Sequence, residues 1–424
     1  MKRVAKRERN CKRMDKPLVH RSLSDQEIAD LDAKVAAIQA LIPLGLAAVS
    51  DALEEEVRLL AGERYQRMGR QPGCVRWSQE NGSVYLGDQK LKVQYTRVRD
   101  IRANCEVPLA VYQRLQQPRR MDEGLMKRVL LGLSCGRYRE AAEAVPEAFG
   151  LSRSTVSRRW ITASARKLAR LMERDLSGLD LVAVFLDGKS LAEDAVVIAV
   201  GITLLGEKVL LGFVQTATEN EQVVREFLER LVSRGLQPDA GRLFIIDGSK
   251  GLRAAIRAVF GEAAVVQRCQ WHKRENVVSY LPKARQPEMR RQMQAAYRQP
   301  TYAAAKVQLM QIRRTLQREN PSAAASLEEG LEETLTLHRL GVAGALSISL
   351  STTNILESIN AQLSRLTHNV TRWRNGLQKH RWVASALLDI EPRLRKIKGY
   401  RALPQLRAAI LREQATIPAG KLAA

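Results

Sequence analysis

Acidic residues are in short supply in this 424-residue chain: 45 Asp and Glu stand against 69 Lys and Arg, a formal net charge of +24. Cysteine is scarce as well. Cys11, Cys74, Cys105, Cys135 and Cys269 are odd in number and thinly spread, which does not suit a disulfide framework and fits a reducing cytosol. No stretch approaches the ~18 consecutive apolar residues of a membrane span. The basic start MKRVAKRERNCKRMDK is not followed by the apolar segment of a signal peptide. No period of about 20–50 residues repeats, which removes solenoids and propellers. A soluble, intracellular protein with no membrane partner is expected.

What is present is ordinary globular material, 45% hydrophobic and 27% charged, so a core exists and the surplus cation sits on it. At ~100–200 residues per domain the chain holds about two to four domains. A surplus of positive charge on this scale points to a polyanion, and DNA or RNA is the usual one.

Residues 1–20 carry eight Lys and Arg with little to bury and read as a flexible basic arm. From Ser24 to about Arg70 apolar residues recur at helical spacing (Ile28, Leu31, Val35, Ile38, then Ile42, Leu46, Val49, Leu53). Residues 82–100 alternate as Val84/Leu86 and Leu91/Val93/Tyr95 around Gly87-Asp88, a hairpin with a cationic edge that includes Arg97 and Arg99. Residues 123–175 return to helix. There Gly150 reads as a stop and Ser152 as an N-cap, and the next helix opens with Arg153, Ser154, Thr155, Ser157 and Arg158. Small hydroxyls and arginines at the start of a second helix suit a helix-turn-helix DNA reader, although Pro146 interrupts the helix before it.

From Leu179 the pattern changes to β-branched apolar runs: LDLVAVFLD, AVVIAVGIT and KVLLGFVQ. A helical stretch from Glu219 to Arg234, then RLFIID, a helix from Lys250 to Phe260, and AAVVQ complete the order β-β-β-α-β-α-β. RNase H-like domains share this order. Helical, polar sequence follows Pro282 to about Glu333, and another helix begins near Ser351.

Asp187 closes one apolar run and Asp247 another, each followed by Gly. One Asp-Gly is a common turn, but a matched pair on neighbouring strands suits a divalent-cation site, which needs two or three converging carboxylates. The third is sought on a helix. Glu357, on an amphipathic helix with Ile355, Ile359 and Leu363, is the only acidic residue between Glu333 and Asp389. Cys269-x-x-His272 alone would suit zinc, yet no second Cys/His pair stands nearby at ligand spacing, so a structural or strand-orienting role is read instead. Between Ala361 and Ile410 eleven Lys and Arg face only Asp389 and Glu391. Arg365, Arg372 and Arg374 are the candidates there for phosphate contacts. Trp373 between two arginines either stacks on an unpaired base or anchors its helix, and Trp382 reads as core.

The runs Asp187-Gly188, IIDGSKGLRAAIRAVF, AAVVQRCQWHKREN, TTNILESINAQLSRLTHNVTRWRNG and HRWVASALL together resemble the Mutator-type transposases of bacterial insertion sequences, DDE recombinases with an RNase H-like catalytic fold. The resemblance spans roughly residues 80–402. It implies an acidic triad of Asp187, Asp247 and Glu357 holding two Mg²⁺ ions, with Mn²⁺ as a substitute. It also implies a Cys-x-x-His pair at Cys269 and His272, and a helical insertion over 283–345. One departure is Glu275 before Asn276, with Arg274 a place early, where the family has Arg-Asn.

The expected organisation is a multidomain α/β chain. A basic arm (1–20), a helical region with a hairpin (21–120) and a helix-turn-helix domain (121–175) precede an RNase H-like catalytic domain in two parts, 176–282 and 346–402. The insertion at 283–345 separates those parts, and a tail covers 403–424. The expected activity is cleavage at terminal inverted repeats and transfer of the 3′-OH ends to target DNA, by a dimer or larger assembly at the bacterial nucleoid. Two readings stay open beside it: a catalytically inactive or domesticated DNA-binding regulator, and an RNase H-like nuclease that does not join strands.

Overall fold

The computed structural model describes residues 31–66, 73–86, 89–116, 121–135, 137, 152–216, 220–238, 241–261 and 264–416. The expected basic arm, the Gly87-Asp88 turn, the segment with Pro146 and Gly150, and the end of the tail lie outside the described residues. The chain divides into two compact units, Met1–Trp160 and Ile161–Ala424.

In the first unit, helix α1 (Leu31–Ala61) buries Val49, Leu53, Val57 and Ala61, one stripe at four-residue spacing, among Cys74, Val84, Val93, Val98 and Leu109. Strands β1 (Cys74–Leu86) and β2 (Gln89–Asp100) pair antiparallel with Val84 opposite Leu91 and Leu86 opposite Gln89, which is the expected hairpin register. The sheet is larger than expected, because β1 begins eight residues before Gly82 and a short β3 (Cys105–Val107) adds to β2. The polar run Ser78–Asn81 hid the first half of β1, since alternation fails there and the register slips between Arg76 and Gln79. Glu56 on α1 accepts the Ala110 and Val111 N–H groups at 2.6 and 2.9 Å, capping helix α2 (Ala110–Leu115) with a carboxylate where the helix dipole favours one. Helix α3 (Met121–Leu130) follows, and then α4 (Arg153–Met172), along which the two units divide. Ser152 Oγ accepts the Thr155 N–H at 3.3 Å, the expected N-cap.

The second unit is built on a five-stranded sheet ordered β6-β5-β4-β7-β8. Its strands are β4 (Leu181–Leu191), β5 (Asp194–Thr203), β6 (Lys208–Thr216), β7 (Leu243–Ile246) and β8 (Val265–Arg268). β5 runs antiparallel to both β4 and β6, whereas β7 runs parallel to both β4 and β8. Residues 181–187 are buried without alternation, so this central strand is covered on both faces. Helices α5 (Glu221–Ser233) and α6 (Lys250–Phe260) supply Val224, Phe227, Leu228, Leu231, Leu252 and Ile256 to that core.

After α7 (Gln270–Ser279) the chain forms α8 (Gln286–Tyr297), α9 (Tyr302–Glu319), α10 (Pro321–Glu328), the single turns α11 (Leu331–Thr334) and α12 (Thr336–Arg339), and α13 (Ala343–Leu350). Of these helices, α7 to α11 share a core of their own around Met293, Leu309, Leu316 and Leu327. A buried polar seam joins them to β8. Gln267 Nε2 donates to the Thr334 carbonyl (2.9 Å), Gln267 Oε1 accepts the Leu337 N–H (3.0 Å), and Thr336 Oγ1 donates to the Val266 carbonyl (2.6 Å). A seam satisfied in this way fixes the register of the helices on the sheet edge, because shifting it would strand buried amides. Helices α14 (Asn354–Thr367), α15 (Gly376–Ile390) and α16 (Leu403–Ala415) complete the unit.

Candidate acidic site and its basic surroundings

Asp187 and Asp247 are brought together by strand register. The parallel pairing of β4 with β7 ends at Leu186 opposite Ile246, so the next residue on each strand is an aspartate at the same level of the sheet. Asp187 does not close its strand as the sequence implied. β4 continues to Leu191, with Asp187 opposite Ile198 and Gly188 opposite Val197, because β5 keeps pairing after β7 has turned away. Asp247 does sit at a turn. Its Oδ1 accepts the Ser249 N–H at 2.9 Å, Gly248 takes φ +113°, and Ser249 caps α6 by accepting the Leu252 N–H. A side chain at Gly248 would also strike the Arg268 guanidinium. Asp187 is 7% exposed, and Asp247 is half-buried.

Glu357 stands in the first turn of α14, which packs on β4. Lys189, two residues after Asp187 and hence on the same face of β4, donates through Nζ to the Asn360 carbonyl at 2.9 Å. Burial pulls the Lys189 ammonium down from its ordinary pKa, and the charge of Asp187 partly restores it. Glu357 Oε1 is buried and has no hydrogen-bond partner. An orphaned carboxylate oxygen of this kind is costly to hold, roughly 1–3 kcal/mol. Among the described residues no three His, Cys, Asp or Glu side chains converge into a metal-coordinating arrangement, so the three carboxylates are not drawn into one coordination sphere. A buried oxygen lacking a donor still fits a cation, which would complete it.

Cys269 and His272 lie beside this site. The Cys269 N–H donates to the Ile246 carbonyl at 2.7 Å, directly before Asp247, and its buried Sγ caps α7 by accepting the His272 N–H at 3.5 Å. Interaction with Cys269 pushes His272 up to about 9, burial opposes this, and the charges of Asp187 and Asp247 add to it. Burial pushes the Cys269 thiol up, but hydrogen bonds from His272 and Thr353 outweigh it and the net shift is downward. The protein itself supplies the partners of Sγ. Arg274 and Arg290 both bind the Glu275 carboxylate, so the residue that departs from the resemblance ties α7 to α8.

The expected DNA-contact residues divide. Arg153, Ser154 and Arg158 are exposed at the start of α4, with Thr155 and Ser157 half-buried. Arg365, Arg372 and Arg374 are exposed, and none has an ion-pair partner among the described residues. Trp373 is half-buried and sets its ring edge-on to Trp382, centroids 6.4 Å apart, which is an anchoring contact. Arg97 is committed within its sheet, donating through Nε to Glu106 at 2.9 Å and pairing with Glu80 at 3.3 Å. Arg99 donates to Asn104 Oδ1 (2.6 Å) and lies over Trp77. Sequence reasoning missed Lys189, Thr353 and Arg268. Only Lys189 carried a signal, its two-residue spacing from Asp187.

Residues 18–393 match the family model described as Transposase, Mutator family. The chain is similar to the transposase for insertion sequence element IS406 of Burkholderia multivorans, 34% identical over 49% of this chain and 52% of that protein. It is also similar to the transposase for IS256 in transposon Tn4001 of Staphylococcus aureus, 29% identical over 46% of this chain and 48% of that one. The match to the transposase for IS6120 of Mycolicibacterium smegmatis is 30% identical and covers 59% of this chain and 78% of that protein. The chain spans about half the length of the first two relatives.

Proposed function

Because this chain belongs to the Mutator family of transposases, we propose that it is an insertion-sequence transposase that cuts DNA at the element's terminal inverted repeats and transfers the 3′-OH ends to target DNA. The observation that carries the reading is the shared level of Asp187 and Asp247 on adjacent parallel strands, with α14, which carries the unpartnered oxygen of Glu357, packed on β4. The strand order β6-β5-β4-β7-β8, with an antiparallel half and a parallel half, supports an RNase H-like catalytic domain. The capped α4, with Arg153, Ser154 and Arg158 exposed, supports its use as the reading helix of a helix-turn-helix.

In this reading Asp187, Asp247 and Glu357 hold two divalent cations, Mg²⁺ or Mn²⁺, which when bound would activate the attacking oxygen and offset charge on the leaving one. The β4 and β7 backbones fix Asp187 and Asp247, and the Asx turn at Ser249 limits rotation of the Asp247 carboxylate. Arg365, Arg372 and Arg374 neutralise phosphates flanking the scissile bond. No side chain is needed as a covalent nucleophile, because both steps are in-line displacements at phosphorus. Bringing two element ends together calls for at least a dimer on DNA.

The test uses duplexes carrying the inverted repeats that flank the gene. Asp187→Ala, Asp247→Ala and Glu357→Ala should each abolish divalent-dependent cleavage and strand transfer while end binding stays within about twofold. Retained strand transfer in any one removes that residue from the triad. A pre-cut end with a free 3′-OH separates joining from cutting, and cleavage without joined product would favour a nuclease.

A further inference from the structure

Thr353 sits at the N-cap of α14, where a threonine hydroxyl ordinarily accepts an N–H of its own helix. Here it makes no such bond. Its backbone has left the extended region usual for that position (φ −83°, ψ 16°), and the side chain turns toward α7 instead. Thr353 Oγ1 lies 3.6 Å from Cys269 Sγ and 3.3 Å from His272 Nδ1, and the Thr353 N–H donates to the same sulfur at 3.4 Å. Thr353 and Cys269 are both 0% exposed. The Gln270 N–H reinforces the junction by donating to the Ser351 carbonyl at 2.9 Å.

One sulfur therefore caps α7 through the His272 N–H and also receives the N-cap residue of the Glu357 helix. The same cysteine is bonded through its N–H to Ile246, the residue before Asp247. The Glu357 N–H in turn donates to the Thr353 carbonyl at 3.0 Å. A continuous chain of bonds thus runs from the Asp247 strand end through Cys269 and Thr353 to the backbone of Glu357. A hydroxyl that gives up its own helix cap for this contact is committed to the junction rather than to α14.

We propose that Thr353, held by Cys269 and His272, is a positioning residue that sets the first turn of α14 and so aims Glu357 at the Asp187–Asp247 end of the sheet. The proposal rests on the reading of Glu357 as the third carboxylate. Outer partners that orient metal-binding side chains are typically worth about 10- to 100-fold in metal affinity or activity.

The experiment uses the full chain, with Mn²⁺ alone as the probe, and compares wild type with Thr353→Val, Thr353→Ser, Cys269→Ala and Glu357→Gln. In metal-free protein, Thr353→Val should speed amide hydrogen exchange across residues 354–358 by roughly 10-fold while exchange in β4 is unchanged. Its Mn²⁺ affinity by calorimetry should fall by about 10-fold, and Thr353→Ser, which restores the hydroxyl, should recover both. Unchanged exchange and Mn²⁺ affinity in Thr353→Val would overturn the proposal, and so would failure of Thr353→Ser to rescue. If Thr353→Val does not fold, Cys269→Ala decides by the same exchange measurement, with faster exchange confined to 354–358 supporting the proposal and wild-type exchange overturning it. Unaltered Mn²⁺ affinity in Glu357→Gln would instead remove Glu357 from the triad, while the exchange data would still judge the staple.

Discussion

Replacing Glu357 with methionine should make the metal-free protein more stable, although the same change should end its activity. Methionine keeps the methylene stem and removes both carboxylate oxygens, one of which, Oε1, is buried without a partner. Relief of that orphan is worth roughly 1–3 kcal/mol, whereas loss of a carboxylate from the first turn of α14 gives back about 0.3–1 kcal/mol of dipole interaction. Relief of the orphan outweighs the lost dipole interaction, and a net gain of about 1–2 kcal/mol is expected. At ~2–4 °C per kcal/mol for a domain of this size, the midpoint of the unit holding α14 should rise by a few degrees in a chelator-treated thermal melt. Adding Mn²⁺ should close most of that gap. With ~10 mM ion and a dissociation constant near ~1 mM, wild type gains about 1.4 kcal/mol and Glu357→Met gains almost nothing. A variant less stable than wild type in chelator, with the same response to Mn²⁺, would show that the buried oxygen is not reserved for a cation.

Two further outcomes follow from neighbouring residues. Gly248→Ala forces an alanine into φ +113° and against the Arg268 guanidinium, so it should cost about 1–3 kcal/mol and disturb the Asp247 loop; a melting midpoint within about 2 °C of wild type would contradict this. Lys273, 0% exposed, is depressed from 10.5 to about 8 by burial first and by Arg268 second, against the pull of Glu329 and Glu333. Stability from this group is therefore fully present above pH 10.5 and lost as pH falls through about 8, a cost of about 3 kcal/mol at pH 7. Lys273→Met should accordingly be the more stable protein at pH 7, with its advantage in urea unfolding shrinking toward pH 10; a difference that does not vary with pH would refute the assignment.

Much of the second unit was legible in the sequence because its elements are strongly patterned. A strand such as Leu181–Asp187, buried at every residue, cannot alternate, and a continuous β-branched run is the trace it leaves. The aspartates were legible because they end apolar runs, although what joins Asp187 to Asp247 is the place where β7 stops pairing rather than a turn at Gly188. Thr353 left no such trace. Its position before an amphipathic helix reads as a cap, and only the fold shows that its hydroxyl serves α7. The first half of β1 was hidden for a related reason: strand pairing there is decided by partners in β2, and residues 78–81 of the strand are all polar.

Charge is where sequence and structure differ most in what they can say. Of the eleven cations between Ala361 and Ile410, Lys379 is buried on Asp194, Arg393 pairs with Asp389, Lys396 with Glu207 and Arg407 with Asp180. Arg97, on the hairpin, is likewise held by Glu80 and Glu106. Each pair removes one positive charge from the number that can displace counterions from DNA, because its carboxylate moves with it. The salt dependence of binding reports phosphates neutralised, not formal charge. In the proposed function it should therefore be shallower than the 69 Lys and Arg imply, and it should be set by exposed arginines such as Arg153, Arg365, Arg372 and Arg374.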